Sequence, residues 1–70
     1  MAAHLSEEIS NKIRAARKKL GWSQTVLGER AGLSRPTIAR VEAGRDVSTA
    51  TLSKVAEVLG LKLDLLDRRR

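Results

Sequence analysis

The short segment SRPTIAR contains two arginines, Arg35 and Arg40, and its first residues are typical of the start of a helix. A guanidinium presents planar donors that pair bidentately with the O6 and N7 of guanine or with phosphate oxygens. Arg35 and Arg40 are therefore candidates for binding a planar or anionic partner. Pro36 suits a first helical turn, where its missing N–H would have no intrahelical acceptor. Because residues before a proline avoid the α region, we expect Arg35 rather than Ser34 to be the N-cap.

Groups that do covalent chemistry or hold metals are scarce in this sequence. There is no Cys and no Tyr, and the one histidine, His4, has no second ligand at metal-binding spacing. No glycine-rich phosphate loop is present, and 70 residues scarcely enclose a substrate pocket. We therefore expect a protein that is not an enzyme and that has no cofactor and no metal site.

The charge balance favours polyanionic partners. Fourteen Lys and Arg residues stand against eight Asp and Glu residues, a net charge of +6. Nucleic acid is the first candidate and an acidic membrane surface the second. Membrane binding needs a basic amphipathic helix with bulky apolar anchors, whereas these apolar residues are needed for packing helices together. From the acidic start we expect no signal peptide, and no apolar run approaches the ~20 residues of a membrane span. We expect a cytoplasmic protein.

Apolar residues recur at intervals of three and four, so the sequence predicts four helices. The first is capped by Ser6 and ended by Gly21, the second begins after Ser23, the third opens at residues 34–36, and the fourth spans about 48–59. The predicted inward faces are Ile9, Ile13, Ala16 and Leu20, then Leu27 and Ala31, then Ile38 and Val41, and finally Leu52, Val55, Ala56 and Leu59.

The end of the chain changes its period. Leu61, Leu63 and Leu65 alternate with charged residues, which is typical of a strand. Such a strand has no partner within the chain, so we favour pairing with the same segment of a second subunit. A short fifth helix capped by Asp64 is the alternative. The predicted parts are a frayed start, a helical domain and a dimerisation tail at residues 1–5, 6–60 and 61–70.

The segment GWSQTVLGERAGLSRPTIARVEAGR resembles the helix-turn-helix core of phage repressor and Cro-like (XRE) regulators. The matching features are Gln24, the small Gly28, Gly32 in the turn, Ile38 and the ending that starts at Glu42. The resemblance implies a compact all-α, lambda-repressor-like domain of four to five helices. It also implies that the third helix lies in the major groove of double-stranded DNA.

The same resemblance implies roles for individual residues. Arg35 and Arg40 match base-reading positions, and Thr37 is expected to reach a base or a phosphate. The expected phosphate-binding residues are Ser23, Gln24, Ser34 and Arg45. Arg17 and Glu42 match a structural ion pair that ties the first helix to the end of the third. Trp22 is expected to pack in the core at the corner between the first two helices rather than to stack on a base. The competing interpretation of Arg35 and Arg40 is that they are solvated surface charges.

The stretch GWSQTVLGERAGLSRPTIA together with the tail LGLKLDLLD resembles HipB-type antitoxins. That resemblance implies a homodimer that binds a pseudo-palindromic operator, represses its own operon and binds a kinase-like toxin. A stand-alone XRE regulator, or an antitoxin of another toxin class, remains as the alternative. The leucines Leu61, Leu63 and Leu65 are the expected dimerisation residues.

Overall fold

The computed structural model describes residues 7–62, which contain four helices around one core. The helices are α1 (Glu7–Lys19), α2 (Gln24–Ala31), α3 (Arg35–Glu42) and α4 (Thr49–Leu59). The predicted all-α, lambda-repressor-like architecture is therefore confirmed. The predicted cap Ser6, and Leu63 and Leu65 of the tail, lie outside the described residues.

A serine begins each of the last three helices. In each case the serine hydroxyl accepts the backbone N–H of the residue three positions later, which satisfies one of the unpaired amides of the first turn. The pairs are Ser23 with Val26 at 3.0 Å, Ser34 with Thr37 at 3.3 Å and Ser48 with Thr51 at 3.1 Å.

Ser34 is the N-cap of α3, so the prediction that favoured Arg35 is wrong. Ser34 has extended backbone angles, φ −79° and ψ 158°, and Arg35 is already the first helical residue. The physical reason is the acceptor, because a serine hydroxyl can accept the free amide whereas a guanidinium has only donors. Pro36 then occupies the second helical position, where it costs no hydrogen bond.

The inward face of α1 also differs from the prediction at its end. Leu20 is 48% exposed, because α1 ends at Lys19 and the chain turns at Gly21, which has a φ of +76°. The buried residues of α1 are Ser10, Ile13 and Arg17, at the spacing of one helical face. A polar residue and a charged residue thus flank the one fully buried isoleucine.

Gly28 lets the α2–α3 turn fold back tightly onto α2. A Cβ atom at Gly28 would lie 2.7 Å from the backbone oxygen of Leu33, a distance that side chains do not tolerate. The Leu33 N–H donates to the Gly28 carbonyl at 2.8 Å, and Gly32 makes the turn with a φ of +71°. The close neighbour of Gly28 is therefore the backbone of the turn leading into α3.

The core draws residues from all four helices and from the α3–α4 loop. Its fully or nearly fully buried members are Ile13, Leu27, Ile38, Val41, Val47, Leu52 and Val55. Burying each such side chain is worth about 1.5–3 kcal/mol, so this cluster fixes the crossing of α2 and α3. Trp22 and Leu61 pack against its edge. Within residues 7–62, no helix has the length and apolar character needed to cross a membrane.

Candidate nucleic-acid interface

The outward surface of α3 is set by its inward contacts. Ile38 and Val41 are fully buried and Glu42 is 3% exposed, which leaves the opposite side of this eight-residue helix to solvent. Arg35 and Arg40 are both exposed. Arg40 lies on that side, whereas Arg35, the first residue of α3, lies at its edge, about 20° around the helix from Glu42. Both candidate base readers are therefore exposed on a helix that three buried side chains hold in place.

The hydroxyl groups at the start of α3 bond to each other. Ser34 Oγ and Thr37 Oγ1 are 2.9 Å apart, and Ser34 Oγ also accepts the Thr37 N–H. Thr37 is half-buried, while Ser34 is exposed. The structure therefore brings these two predicted contact residues together and engages both hydroxyls within the cap.

The arginines at the far end of α3 border the α3–α4 loop. A guanidinium nitrogen of Arg40, Nη2, donates to the backbone oxygen of Asp46 at 3.4 Å, and the Arg45 N–H donates to the Arg40 carbonyl at 3.0 Å. The Arg45 side chain is exposed. Arg40 and Arg45 therefore lie close together at the C-terminal end of α3, and both side chains are exposed.

The start of α2 lies beside the end of α3. Gln24, the first residue of α2, is half-buried, and its Nε2 donates to Glu42 Oε1 at 3.2 Å. Ser23 is exposed and its hydroxyl accepts the Val26 N–H. The first amides of a helix have no intrahelical acceptors and attract anions. The structure thus places both predicted phosphate-binding residues of α2 at its N-terminal end.

Glu42 and Arg17 form a nearly buried, bidentate ion pair. Arg17 Nε lies 2.6 Å from Glu42 Oε2, and Arg17 Nη2 lies 3.0 Å from Glu42 Oε1. Arg17 Nη1 also donates to the Trp22 carbonyl at 2.8 Å. One guanidinium thus connects α1, the α1–α2 turn and the end of α3.

Arg14 also bonds to Glu42, a role that we did not predict from the sequence. Its Nη2 donates to the Glu42 backbone oxygen at 2.7 Å, and its Nη1 donates to Asn11 Oδ1 at 3.3 Å. The sequence signal was its spacing, since Arg14 precedes Arg17 by three residues and so shares its face of α1. We define the four side chains that meet here, Arg14, Arg17, Gln24 and Glu42, as the Glu42 cluster.

The charges of the Glu42 cluster are balanced against burial. Burial raises the pKa of Glu42, but hydrogen bonds from Arg17 and Gln24 and the charges of Arg17 and Arg14 outweigh it and hold that pKa below its ordinary value. The hydrogen bond to Glu42 raises the pKa of Arg17 despite desolvation. Both groups are therefore ionised at neutral pH. No buried side-chain nitrogen or oxygen within residues 7–62 lacks a hydrogen-bond partner.

Trp22 is half-buried at the α1–α2 corner and packs against the core. The Arg30 guanidinium lies 4.7 Å from the centre of its ring, within the range of a cation–π contact. One face of the indole is thereby used within the protein. Among the described residues there is no group of three His, Cys, Asp or Glu side chains that could hold a metal ion.

Comparison with known proteins places this arrangement in a family. The model of the family described as Helix-turn-helix (HTH_3) matches residues 13–66. The chain is 33% identical to the HTH-type transcriptional regulator YgzD of Bacillus subtilis over 57 residues, which are 80% of this chain and 86% of that protein. It is 36% identical over 62 residues to an HTH-type transcriptional regulatory protein of Archaeoglobus fulgidus, covering 83% of this chain and only 20% of that longer protein.

The chain is also similar in structure to solved proteins. A complex of HipA, HipB, O2 and O3 contains a chain with a TM-score of 0.74 and 26% identity, over 89% of this chain and 90% of that one. A complex of a HipB variant with an O2 20mer gives a TM-score of 0.75 and 26% identity, over 89% of each chain. A structure named MDT Protein gives 0.72 and 30%, over 89% of this chain and 90% of that one. The chain belongs to the XRE-type helix-turn-helix family of transcriptional regulators.

Proposed function

We propose that this protein binds specific sequences of double-stranded DNA as a homodimeric transcriptional repressor, with α3 in the major groove. The observation that carries the proposal is the solvent side of α3, where Arg35 and Arg40 are exposed while Ile38 and Val41 are fully buried. A helix with its side chains is ~10–12 Å across, which matches the ~12 Å width of the major groove. The net charge of +6 favours approach to DNA.

Arg35 and Arg40 are the proposed base readers, with guanine as the preferred partner. Each bidentate arginine–guanine contact is worth roughly 1–3 kcal/mol of discrimination against the wrong base, or about five- to 140-fold in affinity. Thr37 is a weaker candidate than the sequence suggests, because its hydroxyl is bonded to Ser34.

Phosphate contacts are proposed for Ser23, Gln24, Ser34 and Arg45. The first two lie at the N-terminal end of α2, and Arg45 is exposed just beyond α3. Such contacts set the register of the protein on the duplex and make affinity fall with salt, but they carry no sequence information directly.

A two-fold dimer is proposed to pair through the tail that contains Leu61, Leu63 and Leu65. Leu61, the first residue of this segment, is half-buried and packs against the core of its own domain. The dimer would contact half-sites about one helical turn, ~34 Å, apart. Truncation after Gly60, followed by light scattering, tests this, since a truncated chain that stays a tight dimer contradicts pairing through the tail.

Binding-site selection from a random duplex library tests the proposed function. The unchanged protein should recover one pseudo-palindromic sequence with at least one G·C pair in each half-site. Arg35→Ala and Arg40→Ala should each lose preference at one position, whereas Lys12→Ala, which removes an exposed cation from α1, should select the unchanged sequence. If the unchanged protein enriches no particular sequence, it binds DNA non-specifically and the proposal of specific binding fails. Unchanged selection by both arginine variants would reject these readers.

A HipB-like antitoxin role is the more specific candidate within this function. It is supported by the likeness to HipB chains across 89% of this chain. Under this role the dimer also binds a kinase-like toxin and represses its own operon. Co-expression with the product of the adjacent reading frame, followed by co-purification, tests the role. A stable complex with a kinase-like protein supports it, and its absence favours a stand-alone regulator or the antitoxin of another toxin class.

A further inference from the structure

The middle of the exposed side of α3 is apolar. Successive residues of a helix are about 100° apart, so Arg35 and Arg40 lie about 140° apart around α3. Ala39 and Pro36 fall between them, about 40° and 100° from Arg35. Pro36 is exposed and Ala39 is half-buried. We call Pro36 and Ala39 the apolar strip; cations border it on both sides.

The neighbouring hydroxyls do not reach into this strip. Thr37 lies about 200° from Arg35, on the far side of Arg40 from the apolar strip. Its Oγ1 is 2.9 Å from Ser34 Oγ. No side-chain donor or acceptor therefore lies between the two arginines on this side of α3.

We propose that Pro36 and Ala39 recognise the C5-methyl group of a pyrimidine between the bases paired with Arg35 and Arg40. The inference rests on the proposed function and specifies what that surface reads. A base edge in the major groove presents donors, acceptors and one apolar feature, the methyl group at C5 of thymine. Donors and acceptors placed against Pro36 and Ala39 lose their water without gaining a partner, which is unfavourable. A methyl group is the feature that an apolar surface fits.

The spacing of the arginines leaves room for such a base pair. Five residues of helix rise about 7.5 Å, close to two base-pair steps of about 3.4 Å. The half-site thus has a guanine contact at each end and a methyl-bearing pyrimidine between them. Thymine and 5-methylcytosine carry the same methyl at the same ring position, so both satisfy this chemistry.

Methyl removal from the DNA tests the proposal without altering the protein. In the duplex obtained by selection, each thymine of one half-site is replaced in turn by deoxyuridine, which lacks only the methyl group. In a parallel set, each cytosine is replaced by 5-methylcytosine. Affinities are measured for the unchanged protein, for Pro36→Ser and Ala39→Ser, and for Ala15→Ser on the exposed outer side of α1 as the matched control. Thermal unfolding checks that each variant is folded.

The expected result is a loss of about fourfold at one deoxyuridine position, which corresponds to one buried methyl group at ~0.8 kcal/mol. In the two strip variants this loss should shrink to less than twofold, and in Ala15→Ser it should persist. If the selected half-site contains no thymine between the two guanine contacts, a fourfold gain in affinity at one 5-methylcytosine position supports the same recognition of a C5-methyl group. If the protein selects a sequence but its affinity changes with none of the methyl substitutions, this inference is overturned and the proposed function still holds. Selection of no sequence overturns both.

Discussion

Replacing Glu42 with alanine should destabilise the fold far more than it alters base preference. The Glu42 side chain is 3% exposed and accepts two hydrogen bonds from Arg17, at 2.6 and 3.0 Å, and one from Gln24, at 3.2 Å. Its removal leaves the Arg17 guanidinium, in a residue only 9% exposed, with two donors unpaired. Losing one partner of such a buried pair costs about 3–5 kcal/mol.

That loss is large for a domain of this size. Typical stabilities of ~0.05–0.15 kcal/mol per residue give 70 residues about 3.5–10 kcal/mol in total. The melting temperature should therefore fall by roughly 12 °C or more, at about 4–8 °C per kcal/mol. The loss in free energy of unfolding is measured by urea unfolding, followed by the circular dichroism signal of the helices. The protein concentration is kept fixed because dimerisation adds stability.

Two further variants isolate the cause. Glu57→Ala removes an exposed glutamate from α4 and should change the free energy of unfolding by no more than about 0.5 kcal/mol. The double variant Arg17→Met with Glu42→Met removes both charges and should recover most of the stability lost in Glu42→Ala. A loss below about 1 kcal/mol in Glu42→Ala would refute the reasoning, as would a double variant that is less stable than the single one.

Three more predictions follow from the same contacts. The pKa of Glu42 is held below its ordinary value of 4.5, so the ionised carboxylate stabilises the fold fully above that pH, and this stabilisation is lost as the pH falls through the lowered pKa. The stability of Glu42→Gln should therefore depend less on pH below 4.5 than that of the unchanged protein, as measured by acid unfolding. Gly28→Ala gains up to ~1 kcal/mol of helix propensity but sets a Cβ 2.7 Å from the Leu33 oxygen, so a net loss of roughly 1–2 kcal/mol is expected in urea unfolding, and a gain would contradict the close approach. Arg14→Ala should lower stability by about 1.5–3 kcal/mol through the lost charged hydrogen bond to the Glu42 carbonyl, whereas Lys18→Ala on the exposed side of α1 should be neutral within about 0.5 kcal/mol.

The local signals of helix ends are read correctly from the sequence in most places. Ser23 caps α2 as predicted, Gly32 follows α2 with a positive φ angle, and α4 (Thr49–Leu59) falls within the predicted span of about 48–59. These features depend on a few adjacent residues, so their physics is present in the sequence itself. The N-cap of α3 is the exception, because two local preferences compete there and the hydroxyl acceptor of Ser34 outweighs the restriction that Pro36 imposes.

The apolar period determines which side of α3 faces outward. Once Ile38 and Val41 are assigned to the core, the outward position of Arg40 follows from helix geometry, and Arg35 is exposed as the first residue of the helix. The same period fails for Leu20, because α1 stops one residue earlier and the next residues leave the helical register. A pattern holds only as far as the helix that carries it.

Tertiary structure alone decides what the long polar side chains of Arg14 and Gln24 contact. Arg14 contacts the Glu42 carbonyl across 28 positions of sequence, and Gln24 reaches the Glu42 carboxylate across 18. Such contacts depend on how α1 and α2 cross α3, and that crossing comes from the packing of the shared core and the close turn at Gly28. The sequence by itself therefore determined the helices, the family resemblance and the cationic side of α3. The three-dimensional packing decided which cations face solvent and which are committed to holding α3 in place, because a charge is buried only where the fold brings it a partner.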